Sequence, residues 1–120
     1  MKSEWIEHDG KKILFAKYCD FGTDLDSLKI EVEQCDQIAL AQAPHSLLLL
    51  VDVRKTTETP EIKAFIKKSA AKTKNNMKKI AALGVSGVRL VIMKAIALFI
   101  DIPIQAFEDI ESAKEWLVKD

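Results

Sequence analysis

Apolar and polar residues alternate over residues 4–8, EWIEH, with the two-residue period of a strand. Asp9-Gly10 follows, a pair suited to a hairpin turn with positive φ. Residues 11–18, KKILFAKY, then form the partner strand. Leu25, Leu28, Val32, Cys35 and Ala39 recur at spacings of three and four, which predicts a helix over 23–43. Thr23 is placed to cap it, Asp24 and Asp26 favour its dipole, and Pro44 stops it. Residues 46–53, SLLLLVDV, form a continuous apolar run, the pattern of a short strand covered on both faces. Thr59 and Pro60 open a second helix over 60–75, with Ile62, Phe65, Ile66, Ser69 and Thr73 inward. Lysines 63, 67, 68, 72 and 74 lie on its outer face. A buried strand over 79–85, a helix over 88–100 capped by Ser86, a short strand over 103–107 and a helix over 109–119 complete the pattern.

The order ββαβαβαβα predicts one α/β domain spanning residues 1–120. Its sheet is mixed but mostly parallel, with an antiparallel N-terminal hairpin, right-handed crossovers and helices packed on it. At 120 residues, 48% hydrophobic and 30% charged, the chain can bury a core without metal or disulfide staples. Cys19 and Cys35 lack metal-ligand spacing and read as reduced core residues, which points to a cytoplasmic protein. The opening MKSEWIEHDG has no apolar stretch of the signal-peptide kind. The most apolar segment, VRLVIMKAIALFI, is too short to span a bilayer and carries Arg89 and Lys94, so no membrane insertion is expected.

Net charge is zero, yet residues 54–94 hold eleven bases and two acids while the remainder holds seven bases and sixteen acids. This asymmetry reads either as one basic face of a polar molecule or as a solvated helix face beside an acidic one. The lysine stripe lacks arginine and interleaved aromatics, so nucleic acid is not an expected partner. Trp5 and Trp116 read as core or anchor residues. No metal-ligand cluster and no cofactor motif appears.

The stretch LVDVRKTTETPE leaves an apolar strand through three threonines into a helix start. Backbone N–H groups there attract an anion. Thr59 either caps the helix, with Thr56 and Thr57 solvated, or the three hydroxyls flank a phosphate, with Arg54 or Lys55 assisting. Asp52, near the strand's carboxyl end, either contacts a ligand or orients the loop. Gly84-Val85-Ser86-Gly87-Val88 misses the G-x-S-x-G nucleophile elbow by one position. Its nucleophile also lacks a positioned base, because His8 falls beside the hairpin turn and His45 precedes the central strand. The helix over 88–100 is apolar nearly all round. Leu90, Met93, Ala97 and Leu98 do not all fit one face, so it wants a second burial partner: another subunit, a lipid-like ligand or the final helix.

EWIEHDGKKILFAKY, LLLLVDV, ALGVSGVRLVI and ESAKEWLVKD, taken in order, resemble the STAS and CRAL-TRIO-like domains, and among them the bacterial SpoIIAA-like proteins. The resemblance implies a small cytosolic α/β domain, non-enzymatic, used for regulation, protein contact or small-ligand binding. In the anti-sigma-factor antagonists of this group a D-S-S-G motif after the central strand carries a phosphorylated serine. Here the corresponding stretch is VRKTTETPE, without that serine or glycine, so Thr56, Thr57 and Thr59 are the hydroxyls available for phosphorylation.

Two functional expectations follow. The first is a regulatory interaction domain, a homodimer or the partner of a regulatory protein, with Ser86, Arg89, Leu90, Met93 and Leu98 joining the Thr56–Thr59 loop in the contact surface. The alternative is a binder of a small apolar or amphipathic, lipid-like ligand. Its chain would lie along the third helix, and its anionic head would meet Arg54, Lys55, Arg89 or the helix N-termini.

Overall fold

The computed structural model describes residues 1–119, without the side chains of Val88 and Ile92. Asp120, the last residue of the expected closing segment, lies outside the described residues. Strands β1 (Glu4–His8) and β2 (Lys11–Lys17) form the expected hairpin, and Asp9 and Gly10 both hold positive φ. Helix α1 (Leu25–Leu40), β3 (Leu47–Asp52), α2 (Pro60–Thr73), β4 (Met77–Leu83), α3 (Val88–Ile100), β5 (Ile104–Phe107) and α4 (Ile110–Val118) follow. The sheet order is β1-β2-β3-β4-β5, antiparallel only between the first two strands.

Because each parallel crossover steps in the same direction with the same hand, α1, α2 and α3 fall on one face of the sheet. That face carries a row across the strands, Leu14, Leu49, Ile80 and Ile104, packed under Leu28 and Val32 of α1, Ile62 of α2 and Ile100 of α3. Among the described residues, α4 is the helix that covers the second face: Ala113 and Leu117 pack on Ile13, Phe15, Leu48, Leu50, Ala81 and Leu83. Lysines hold this short helix in place. Lys79 Nζ donates to the carbonyls of Trp116 and Lys119, and Lys11 Nζ to that of Val118. These bonds satisfy terminal carbonyls that have no partner within the helix.

Several expected boundaries move. The cap of α1 is Asp24, not Thr23: its carboxylate accepts from Ser27 N, so the helix starts two residues late. It ends at Leu40, four residues before Pro44. The fourth strand shifts from 79–85 to 77–83, since a 3-10 helix (Lys74–Asn76) precedes it and Gly84 turns to φ +82°. Ser86 does not cap α3 with its side chain; Gly87 occupies the cap position at φ +56°. Trp5 is no core residue, being 41% exposed on the edge strand, whereas Trp116 packs tilted against Phe107 at 5.6 Å. Both cysteines are free and buried.

Candidate functional site

At the carboxyl ends of β3 and β4 the loops following each strand are stitched together. Asp52 is buried. Its Oδ1 accepts from the backbone N–H (3.0 Å) and Nε (2.9 Å) of Arg54, and its Oδ2 from Nη2 (2.7 Å). Burial pushes the Asp52 carboxyl up, but the hydrogen bonds and positive charge of Arg54 outweigh it and hold the group below its ordinary range. Arg89, in the first turn of α3, donates through Nη1 to the carbonyls of Val53 (2.8 Å) and Gly84 (3.4 Å), and through Nη2 to that of Thr56. Both arginines are thereby engaged by the protein's own oxygen atoms.

The three threonines are placed differently. Thr56 is buried; its hydroxyl donates to the Tyr18 carbonyl (2.7 Å) and accepts from Phe21 N (3.2 Å). It is a structural pin rather than the solvated residue its sequence context suggests. Thr57 is exposed, and its backbone N–H donates to the Gly22 carbonyl. Thr59 caps α2 through its side chain, which accepts from Ile62 N (3.2 Å), as expected.

Beneath this stitched rim lies a cavity of about 190 Å³ between the first face of the sheet and its three helices. A single water needs only about 10–15 Å³ on such a scale, and an engineered cavity of about 150 Å³ in another protein admits benzene. The wall on the β4–β5 side is apolar: Ala82, Val85, Met93, Ile96, Ile100 and Ile104. Thr57, Glu58 and Lys63, exposed or half-buried at the start of α2, form its solvent-facing rim. Such a rim at the carboxyl ends of parallel strands is where open α/β sheets receive ligands.

The opposite wall, along the seam between α1 and α2, carries polar residues, Thr73 at its far end among them. Tyr18, Cys35, Asp36 and Ser69 all line the cavity. Asp36 is buried; its Oδ1 accepts from Ser69 Oγ at 2.6 Å, and its Oδ2 lies 3.1 Å from Lys72 Nζ at the surface. Burial, with Cys35 and the Asp36 and Glu31 carboxylates, pushes the Tyr18 hydroxyl well above its ordinary value, so it stays protonated. Burial likewise raises the Cys35 thiol, against opposing contacts from Ser3 and Tyr18. The thiol is therefore not a ready nucleophile.

Of the residues singled out from sequence, Thr56, Thr57, Arg89 and Met93 come together on the cavity. Asp52 and Arg54 pair beside it, Thr59 caps α2, and Ser86 is exposed in the turn before α3. Leu90 is half-buried, while Leu98 is 88% exposed on the outer side of α3 with Val91 and Phe99. The polar wall went unrecognised. Its local signals are Ser69 and Thr73, polar residues on the inward stripe of α2; Asp36 reads as an ordinary helix-surface acid.

A parallel sheet extended by an antiparallel hairpin, with three helices on one face and a loop cluster over the strand ends, defines a STAS-type domain. The family model described as SpoIIAA-like matches residues 23–118, four-fifths of the chain, and the protein belongs to that family. No curated protein and no solved structure matches it.

Proposed function

We propose that this SpoIIAA-like domain is a non-enzymatic regulatory module whose state is set by a small apolar or amphipathic ligand held between the sheet and α3. The observation that carries this reading is the cavity: about 190 Å³, with an apolar wall and a rim open at Thr57, Glu58 and Lys63. The placement of the candidate catalytic side chains, none of which lines the cavity, supports a binding role over a catalytic one. Ser86 is exposed without a paired base, His8 hydrogen-bonds Glu115 at 2.9 Å, and His45 is exposed before β3. Native mass spectrometry at near-neutral pH tests the reading, together with uptake of a fluorescent apolar probe. A mass excess that leaves on denaturation, or saturable probe uptake displaced by medium-length lipids, is the expected result. A bare chain that takes up no probe overturns it.

A second reading rests on a different observation. Val91 (68% exposed), Leu98 (88%) and Phe99 (50%) form an apolar ridge on the outer side of α3. Lysines flank it, with Lys67 and Lys74 stacked over the Phe99 ring at 5.3 and 5.7 Å. This ridge suits contact with a second copy or a regulatory protein. Sedimentation of the wild type beside Leu98→Asp tests it: a dimer that the substitution splits supports the contact, and a monomer at all concentrations removes the homodimer.

A further inference from the structure

The two walls of the cavity differ in chemistry, and the difference constrains what it holds. Asp36 is the decisive group. Asp36 lines the largely apolar cavity, and its buried carboxylate is tethered on the protein side by one bond to each oxygen, from Ser69 Oγ and Lys72 Nζ. An ionised carboxylate has about four acceptor positions, so these two tethers leave it with acceptor capacity to spare. The Tyr18 hydroxyl and Cys35 thiol stand on the same wall. Two of the basic groups that an anionic head could meet are engaged by the protein itself: Arg54 with Asp52, and Arg89 with the carbonyls of Val53, Gly84 and Thr56, while Lys63 stands at the solvent-facing rim, away from the Asp36 wall.

We infer that the cavity selects an apolar molecule bearing a hydroxyl donor, which hydrogen-bonds the Asp36 carboxylate while its hydrocarbon body lies against Met93, Ile96 and Ile100. This inference rests on the ligand-binding reading above and narrows it from lipid-like molecules in general to small apolar alcohols. The volume suits a ligand on the order of ten non-hydrogen atoms. A hydrogen bond to a charged acceptor is about twice as strong as one between neutral groups, so the selection depends on the charge of Asp36. A carboxylate ligand meets repulsion at the same place.

The test compares straight-chain octanol with heptyl methyl ether, which has the same number of heavy atoms and no donor. Each displaces a fluorescent apolar probe from the full-length chain. A purely apolar cavity favours the ether, whereas a donor-reading wall favours the alcohol; the expected preference is about tenfold for octanol. Asp36→Asn, which keeps the shape and removes the charge, is expected to cut that preference severalfold. Tyr18→Phe is expected to retain most of it. Equal displacement, or a preference for the ether, overturns the inference and leaves the ligand-binding reading standing. Failure to take up probe at all overturns both. An alcohol preference that survives Asp36→Asn but disappears in Tyr18→Phe overturns the assignment to Asp36. Should Asp36→Asn fail to fold, the octanol-to-ether ratio of the wild type still decides whether the wall reads a donor.

Discussion

A β-carbon on Gly84 would lie 2.6 Å from Cγ of Arg54 and 3.0 Å from its backbone nitrogen. The glycine that sequence reading sets beside a nucleophile elbow serves close approach instead. It lets the strand end of β4 touch the loop after β3, where Val53 N donates to the Leu83 carbonyl at 3.1 Å. The contacting atoms are largely backbone, and φ is +82°. Gly84→Ala is therefore expected to destabilise by about 1–3 kcal/mol, from steric overlap plus the left-handed strain. Gly22→Ala, with positive φ but open space around it, is expected to cost about 1 kcal/mol. Urea unfolding of the two variants measures the difference.

Acid should loosen this junction. The Asp52 carboxyl is held low in the folded protein by Arg54, and that of Glu31 by the N–H groups of Lys2 and Ser3, each against the opposing effect of burial. A depressed carboxylate contributes stability that is complete above its unfolded pKa of about 4 and is lost as pH falls through the folded value. Asp52→Asn is expected to lower stability at pH 7 by about 1–2 kcal/mol. It should also flatten the decline below about pH 5 relative to the wild type. Melting temperature against pH reads both effects; a wild-type decline unchanged by the substitution would remove Asp52 from the account.

The three threonines should separate cleanly. Thr56→Val removes a buried donor and acceptor at once, with an expected loss of about 1–2 kcal/mol. Thr59→Ala removes the cap of α2, costing about 1 kcal/mol. Thr57→Val should stay within about 0.5 kcal/mol of the wild type, as surface positions do. The same geometry orders them as phosphate acceptors: the Thr57 side chain is exposed, whereas Thr56 must first leave its bonds to Tyr18 and Phe21. Kinase labelling followed by mass spectrometry is expected to find Thr57 modified ahead of Thr56.

Filling the cavity should abolish uptake without unfolding the protein. Ala82 is buried on β4 and lines the cavity on the α3 side. Ala82→Leu adds three heavy atoms where space exists, so stability should change by less than about 1 kcal/mol. Apolar probe uptake should be lost. Retained uptake with a normal melting temperature would place the binding space elsewhere.

The fold was largely legible in the pattern of the chain. The hairpin is marked by alternation and Asp9-Gly10, α2 by Thr59-Pro60, and α3 by a helix-length apolar run after Ser86-Gly87. Errors fell where two local signals competed. Thr23 and Asp24 are both capping residues, and the carboxylate that reaches Ser27 N is the cap. Val85 is as strand-prone as Ile80, but Gly84 ends the ladder before it. The cavity has little local signature beyond Ser69 and Thr73 on the inward stripe of α2. Its polar wall joins Tyr18, Cys35 and Asp36 to Ser69, residues brought together only when α1 and α2 pack. Arg89 holds loop carbonyls and Arg54 a carboxylate, partners that residue type alone does not reveal.

The one-sided arrangement of crossovers also has a consequence for biosynthesis. The five strands described leave the ribosome before α4, yet among the described residues it is α4 that covers Ile13, Phe15, Leu50 and Leu83. Until Ala113 and Leu117 have been made, the nascent sheet presents an apolar face to its surroundings, a surface on which incomplete chains stick to one another or recruit chaperones.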